Sequence, residues 1–110
     1  MEKNTEGNLW TQIPSQIPKE LFETLFHNHS IKIERIVSRG HVAPENEWYD
    51  QNKNEWVILL KGRAVLRIED QRELVNMEAG DYLFIPAHQR HRVEWTEPEA
   101  DSVWLAVHFI

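Results

Sequence analysis

The 110-residue sequence has no cysteine. Disulfides, thiolate metal ligands, iron–sulfur clusters and cysteine nucleophiles are excluded together. It also lacks a basic stripe. Twelve Lys and Arg stand against eighteen Asp and Glu, for a formal charge of -6, so phosphate-backbone binding is disfavoured and no nucleic-acid partner is expected. No apolar run reaches membrane-spanning length, and the polar start MEKNTEGN has no apolar signal core. A cytoplasmic protein with no membrane partner is the expectation. No repeat, low-complexity stretch or linker divides the chain, and its length suits one domain.

What is present is a period of two. From residue 31 onward, IKIERIVSR, EWVILL, RAVLRIED, ELVNM, YLFIP, HRVEW and SVWLAVHF follow one another with turn residues between them. Seven short strands at such spacing predict an all-β sandwich or barrel. Residues 1–30 read as an N-terminal arm of the same domain, and residues 31–110 as the barrel. Within the arm, Pro18 and the pairs Leu21/Leu25 and Phe22/Phe26 predict one short helix over 18–26. Residues 8–13 read as an edge strand available to a partner chain.

The strand pattern also orients side chains. Glu55 shares a face with Val57 and Leu59, so its carboxylate points into an apolar interior. Burying it unpaired would cost several kcal/mol. His91 shares a face with Val93 and Trp95, opposite Arg92 and Glu94, and so also points inward. One inward carboxylate and one inward imidazole make half of a metal site; without a metal they make a buried ion pair or hydrogen-bonded pair. His108 alternates with Trp104 and Ala106 on a strand apolar on both faces, where it is a core histidine or a partner standing behind the site. Trp48, Trp95 and Trp104 either line a ligand pocket or fill the barrel. His27 and His29 read as solvated, and His41 as a loop histidine with no evident partner. An inward Arg35 or Arg39 would favour a carboxylate or phosphate ligand. Ser38 has no His–Asp arrangement around it, so a serine nucleophile has no support. Trp56 and Ile58 face away from Glu55, which predicts a homodimer through that strand face, with the arm joining the contact.

Two stretches resemble the two motifs of the small single-domain cupins. In the first, Glu55 precedes Gly62 with six residues between; in the second, Gly80, Pro86 and His91 fall on the pattern. The resemblance covers about residues 31–109 and implies a cupin jelly-roll barrel of two antiparallel sheets. It departs where the family carries His-x-His, since Tyr49-Asp50-Gln51 stands there, and where the family carries Gly and Asn, since His88 and Trp95 stand there. The implied metal ligands are therefore Gln51, Glu55 and His91, with Tyr49 or His88 near a fourth corner. The implied cofactor is a divalent transition metal, Zn, Mn, Fe or Ni. For Gln51 the alternative is a loop amide bonded to backbone, for Tyr49 a pocket wall, and for His88 a turn cap. Two functions stay open. One is a metal-dependent enzyme, such as a dioxygenase or isomerase, acting on a small carboxylate, dicarbonyl or phenolic molecule. The other is a non-catalytic small-ligand binding or sensing barrel without metal.

Overall fold

The structure is a computed structural model and describes residues 5–44 and 46–110. Eight strands run in chain order: β1 (Leu21–His27), β2 (Ile31–Ser38), β3 (Asn54–Lys61), β4 (Arg63–Ile68), β5 (Val75–Glu78), β6 (Tyr82–Ile85), β7 (His91–Thr96) and β8 (Ser102–Phe109). β2 to β8 are the seven strands expected from the alternation. They form a five-stranded sheet in the order β1-β2-β8-β3-β6 and a three-stranded sheet in the order β5-β4-β7, with every pairing antiparallel. Among the described residues no helix is long and apolar enough to cross a membrane.

The two sheets close over one core. Val57 and Leu59 of β3, Trp104 and Ala106 of β8, and Ile85 of β6 meet Ala64 and Leu66 of β4 and Met77 of β5. Each fully buried aliphatic side chain stabilises the fold by about 1.5–3 kcal/mol relative to leaving it exposed. β-branched and aromatic residues dominate the strands, as a half-buried pleated surface favours.

The expected short helix over 18–26 does not form. That stretch instead supplies β1, paired with β2 from Leu21↔Val37 to His27↔Lys32. Nine residues are too few to hold a helix without a face to bury, whereas the free edge of β2 offers a full ladder of backbone hydrogen bonds. A register shift between Thr24 and Phe26 absorbs the mismatch in alternation. Nor are residues 8–13 a strand. They run as an irregular strap whose carbonyls at Leu9 and Thr11 accept hydrogen bonds from Arg35 at 2.9 and 2.7 Å.

A second register shift, between Val65 and Leu66, pairs Val65 with Trp95 and Leu66 with Val93. The extra residue on β7 inverts the alternation beyond it. Trp95 therefore turns outward and is exposed, and Thr96 takes the buried position, its hydroxyl donating to the His41 carbonyl at 2.8 Å.

Gly62 forms the corner between β3 and β4 at φ +94°, and a Cβ there would meet the Ser102 Cα at 2.7 Å. Neither the backbone nor the neighbouring strand leaves room for a side chain. Gly62→Ala is expected to lower the unfolding free energy by at least about 2 kcal/mol, read from urea denaturation. An unchanged midpoint would show that the corner relaxes freely.

Candidate functional site

Ionisable side chains collect at one end of the space between the sheets. On the inner face of the five-stranded sheet, Glu55 of β3 stands directly beside His108 of β8. Glu34 of β2 lies one row deeper, paired across to Ala106. Below them, Val57, Ile36 and Trp104 give an apolar floor. From the three-stranded sheet, His91, Val93 and Leu66 face them. Together these residues line an interior cavity of about 70 Å³, with Glu20, Phe22, Tyr49, Gln51 and Ile85 completing its wall. That volume admits a few waters or a small molecule.

Tyr49 and Gln51 reach the cavity because their loop is stitched to β7. Tyr49 and His91 exchange backbone hydrogen bonds at 2.8 and 3.2 Å, and the His88 N–H donates to the Gln51 carbonyl at 2.7 Å. The Tyr49 ring lies 5.6 Å from that of His91. Two-residue alternation then carries Gln51 to the same side. Its amide donates to Glu55 Oε1 at 3.1 Å.

The geometry at His91 fixes its proton. Nδ1 lies 3.1 Å from the Gln89 carbonyl, and a carbonyl can only accept, so Nδ1 carries the hydrogen. Nε2 is left facing Glu55 Oε1 across 3.7 Å, too far for a hydrogen bond. In the neutral ring both facing atoms are acceptors, and of the two only Glu55 Oε1 has a donor, the Gln51 amide. Glu55 and His91 are each 7% exposed, so solvent does little to satisfy them.

Glu34 and His108 form a second, closed pair. His108 Nε2 lies 2.9 Å from Glu34 Oε1, and Lys32 Nζ stands 3.3 Å from Oε2. Burial by itself would raise the Glu34 carboxyl, but the His108 hydrogen bond and Lys32 outweigh it and hold the group below the ordinary carboxylate range. Glu20 behaves oppositely. Burial pushes it up, against the opposing pull of the Ser38 hydroxyl bonded to it and of His41. Tyr49 is also raised, by burial and then by the surrounding carboxylates Glu20, Glu55, Glu34 and Glu47.

The remaining expected residues fall elsewhere. His88 is exposed, turned to Asp50 at 3.0 Å, and does not line the interior cavity. It adopts φ +65°, so the left-handed backbone that suits Gly in the motif is kept although the residue is not Gly. Arg35 turns to Glu23 and the arm, and Arg39 to Asp101 at 2.8 Å and the Ser15 carbonyl at 2.7 Å. Neither faces the cavity. His41 has two partners after all: Nδ1 accepts from the Arg39 N–H at 2.9 Å, and Nε2 lies 2.9 Å from the Ile17 carbonyl. Of the three tryptophans, only Trp104 lines the interior; Trp48 lies beneath Arg90 and Arg92 in an outer groove. Sequence reasoning missed Glu20, hidden in the stretch expected to be helical, and the Glu34–His108 pair, although the alternation of β2 does aim Glu34 inward.

The cupin domain family model matches residues 34–108, spanning both halves of this cavity wall. The chain is a cupin. A crystal structure from Ralstonia eutropha JMP134, of a protein provisionally assigned as a mannose-6-phosphate isomerase, is 42% identical with a TM-score of 0.92, covering 96% of this chain and 98% of that one. An RmlC-like cupin from Methanocaldococcus jannaschii with a double-stranded β-helix fold is 21% identical with a TM-score of 0.68, over 89% of this chain and 86% of that one, and shows the fold alone. The 3-hydroxyanthranilate 3,4-dioxygenase of Paraburkholderia phytofirmans is 35% identical over 63 residues, 56% of this chain. This cupin spans only 35% of that curated relative's length.

The two carboxyl shifts have opposite signs in stability. Glu34, lowered in the fold, contributes stability above the unfolded carboxylate range, about pH 4.3, and loses it as pH falls through its folded value. Glu20, raised in the fold, contributes stability below that range and loses it as pH rises through its folded value. Glu34→Gln should therefore cost most near neutral pH and progressively less in acid. Glu20→Gln should gain on the native chain as pH rises from about 4 to 8. Urea midpoints across pH measure both, and parallel curves for all three proteins would refute the assignment.

Proposed function

We propose that the interior cavity is a metal-dependent small-molecule site in which Glu55 and His91, with Gln51, hold a divalent transition metal, Zn, Mn, Fe or Ni. The carrying observation is the 3.7 Å gap between His91 Nε2 and Glu55 Oε1, with the His91 proton committed to the opposite nitrogen. Ligand bonds to such ions run about 2.0–2.2 Å, so one ion can touch both atoms across this gap. Gln51 already contacts Glu55, and a half-turn of its amide presents oxygen in place of nitrogen. Among the described residues no three His, Cys, Asp or Glu side chains converge as a metal set, so this reading requires Gln51 as its third protein donor, with the other positions open to exchangeable ligands. A bound ion supplies Lewis-acid or oxygen-activating chemistry.

The chain's own residues shape what can enter. Val57, Leu66, Ile85 and Val93 give an apolar floor that limits water. Tyr49 and Phe22 stand both in the cavity wall and in the groove outside it, and so flank the approach. Glu34, ionised and fixed by His108 and Lys32, offers an acceptor for a substrate hydroxyl. Support for an enzyme comes from the dioxygenase and isomerase names of the two relatives, which belong to those proteins. The second reading, a binding barrel without metal, is favoured by the two-donor count of the strong ligands, one imidazole and one carboxylate.

Metal analysis of untagged protein separates them. A stoichiometric transition metal is expected in the native chain and should fall at least ten-fold in Glu55→Gln and in His91→Ala, with the β fold retained by circular dichroism. Gln51→Ala should lose less, because a neutral amide is the weakest of the three donors. Native protein that takes up no Zn, Mn, Fe or Ni would leave the binding barrel.

We also propose that the outer face of the five-stranded sheet pairs with a second copy. Trp56, Ile58 and Leu60 of β3, Tyr82 and Phe84 of β6, and Leu105, Val107 and Phe109 of β8 lie together on it, with no charged side chain among them. Trp56 packs at 5.7 Å on Tyr82, and Phe84 at 6.2 Å on Phe109. Tyr82 is nonetheless 68% exposed. So continuous an apolar surface marks an interaction site, and a self-complementary face closes with two-fold symmetry. Light scattering should give twice the chain mass for the native protein and the single mass for Trp56→Glu. A monomeric native protein would remove the proposal.

A further inference from the structure

At about 70 Å³ the cavity seats only a few heavy atoms, so the rest of any larger molecule lies outside it. Of its wall residues only Phe22 and Tyr49 are exposed, at 48% and 41%. The cavity therefore meets the surface at these two side chains. Beside them lies a groove of about 710 Å³, within the range of small-molecule sites. It adjoins the cavity along four shared residues, Glu20, Phe22, Tyr49 and Val93.

The groove's other walls include Pro18, Val42, Pro44 and Trp48, and Val42 is 53% exposed. Apolar side chains exposed singly need no explanation. Here they converge on one concave surface from three stretches of chain: the arm with β1, residues 42–44, and residues 48–49. The chain's own bonds build that surface. The Ala43 N–H donates to the Val93 carbonyl at 3.0 Å, and the Arg92 guanidinium donates to the Ala43 carbonyl at 3.1 Å. His41 is tied on both sides, its carbonyl accepting from Thr96 and its Nε2 lying 2.9 Å from the Ile17 carbonyl.

Charge decides against an ionised occupant. The ionisable residues of the groove are Lys19, Glu20, His41 and Glu47. Glu20 is bonded to the Ser38 hydroxyl, and His41 has a partner at each ring nitrogen, which leaves one Lys and one Glu of opposite sign. Arg90 and Arg92 lie against Trp48 but do not line the groove. A second groove at the mouth carries Lys32, Asp50, Asn52, Lys53 and His88. There Lys32 is paired with Glu34 and His88 with Asp50, a polar surface that offers an apolar body little.

We propose that the ligand of this site has two parts, a small polar head in the cavity and an uncharged apolar body, a ring or short alkyl chain, in the groove between Val42 and Tyr49, so that the groove sets specificity. This rests on the small-molecule reading of the cavity and not on the metal.

The test titrates the full chain, under nitrogen, with catechol, 4-ethylcatechol and 4-butylcatechol, which share one head, and with dihydrocaffeic acid, whose tail ends in a carboxylate. Affinity should rise about two- to four-fold for each methylene of tail, and dihydrocaffeic acid should gain nothing over catechol. The tails should move the backbone amide resonances of Val42, Ala43 and Glu47 and leave those of Asn52, Lys53 and His88 where catechol leaves them. Val42→Asp, at an exposed wall position outside the cavity, should remove the gain with tail length and leave catechol unchanged. A flat series, a gain that survives Val42→Asp, tail shifts at Lys53 and His88 instead, dihydrocaffeic acid bound as tightly as 4-butylcatechol, or no binding by any of the four overturns the proposal. The gain is a ratio between compounds with one head, so it reads the groove in native and chelated protein alike. A gain in protein that holds no metal keeps this inference and removes the metal, and a bound metal with a flat series does the reverse.

Discussion

A carboxylate placed between two β-sheets loses most of its hydration, and every arrangement around this cavity follows from how that loss is offset. Glu34 is satisfied within its own sheet, by His108 at 2.9 Å and by Lys32 at the mouth. Glu20 is satisfied by the Ser38 hydroxyl and by shifting toward its neutral form. Glu55 is different. Its imidazole partner comes from the opposite sheet and stops 3.7 Å short, so the pairing is left incomplete at the place where the sheets face each other. The same polar layer confines the apolar residues to the floor, which gives the cavity one ionic and one greasy end, the general form of a small-molecule site.

Much of this layer was legible in the sequence because strand alternation is a strict period. Glu55 against Val57 and Leu59, and His91 against Arg92 and Glu94, could point only one way once β3 and β7 were recognised. What alternation cannot reveal is where it breaks. Trp95 reads as inward by parity and is outward because one residue bulges from β7. β1 reads as helical because its apolar spacing of four suits a helix, and only the free edge of β2, a tertiary fact, decides for a strand. Glu20 was lost with it. The Glu34–His108 contact joins residues 74 positions apart, and no local pattern encodes such a pair. The outward turn of Arg35 and Arg39 likewise depends on arm carbonyls that have no sequence signature.

The departures from the cupin motifs separate backbone requirements from chemical ones. At position 62 the corner demands glycine, and glycine is there. At position 88 the left-handed turn survives with histidine, a residue that tolerates it better than most, and its ring is turned to Asp50 outside the cavity. At positions 49 and 51 the loop is held by backbone bonds to His91 of β7 and to His88 in the turn before it, but a phenol and an amide stand where the motif carries two imidazoles. The scaffold that aims side chains into the barrel is thus intact, while its donors are harder and weaker. A cation proposed there would be held less tightly than by three imidazoles, with more of its coordination left to whatever enters.

The outer surface of the five-stranded sheet is divided by the same economy of charge. Over β2 the arm lies across the sheet, held by Arg35 to the Leu9 and Thr11 carbonyls, by Arg39 to Ser15 and by His41 to Ile17. These contacts satisfy cations that would otherwise face a mostly apolar surface, and they leave β8, β3 and β6 uncovered. On those three strands the outward positions between Asn54 and Lys61 at the two ends of β3 carry aromatic and aliphatic side chains. A monomer gains nothing from so large a dry face, because exposed apolar area adds no stability and invites edge or face association. The strap accounts for half of the sheet. The proposed second copy of the same face, meeting it sheet against sheet at about 10 Å, would cover the other half.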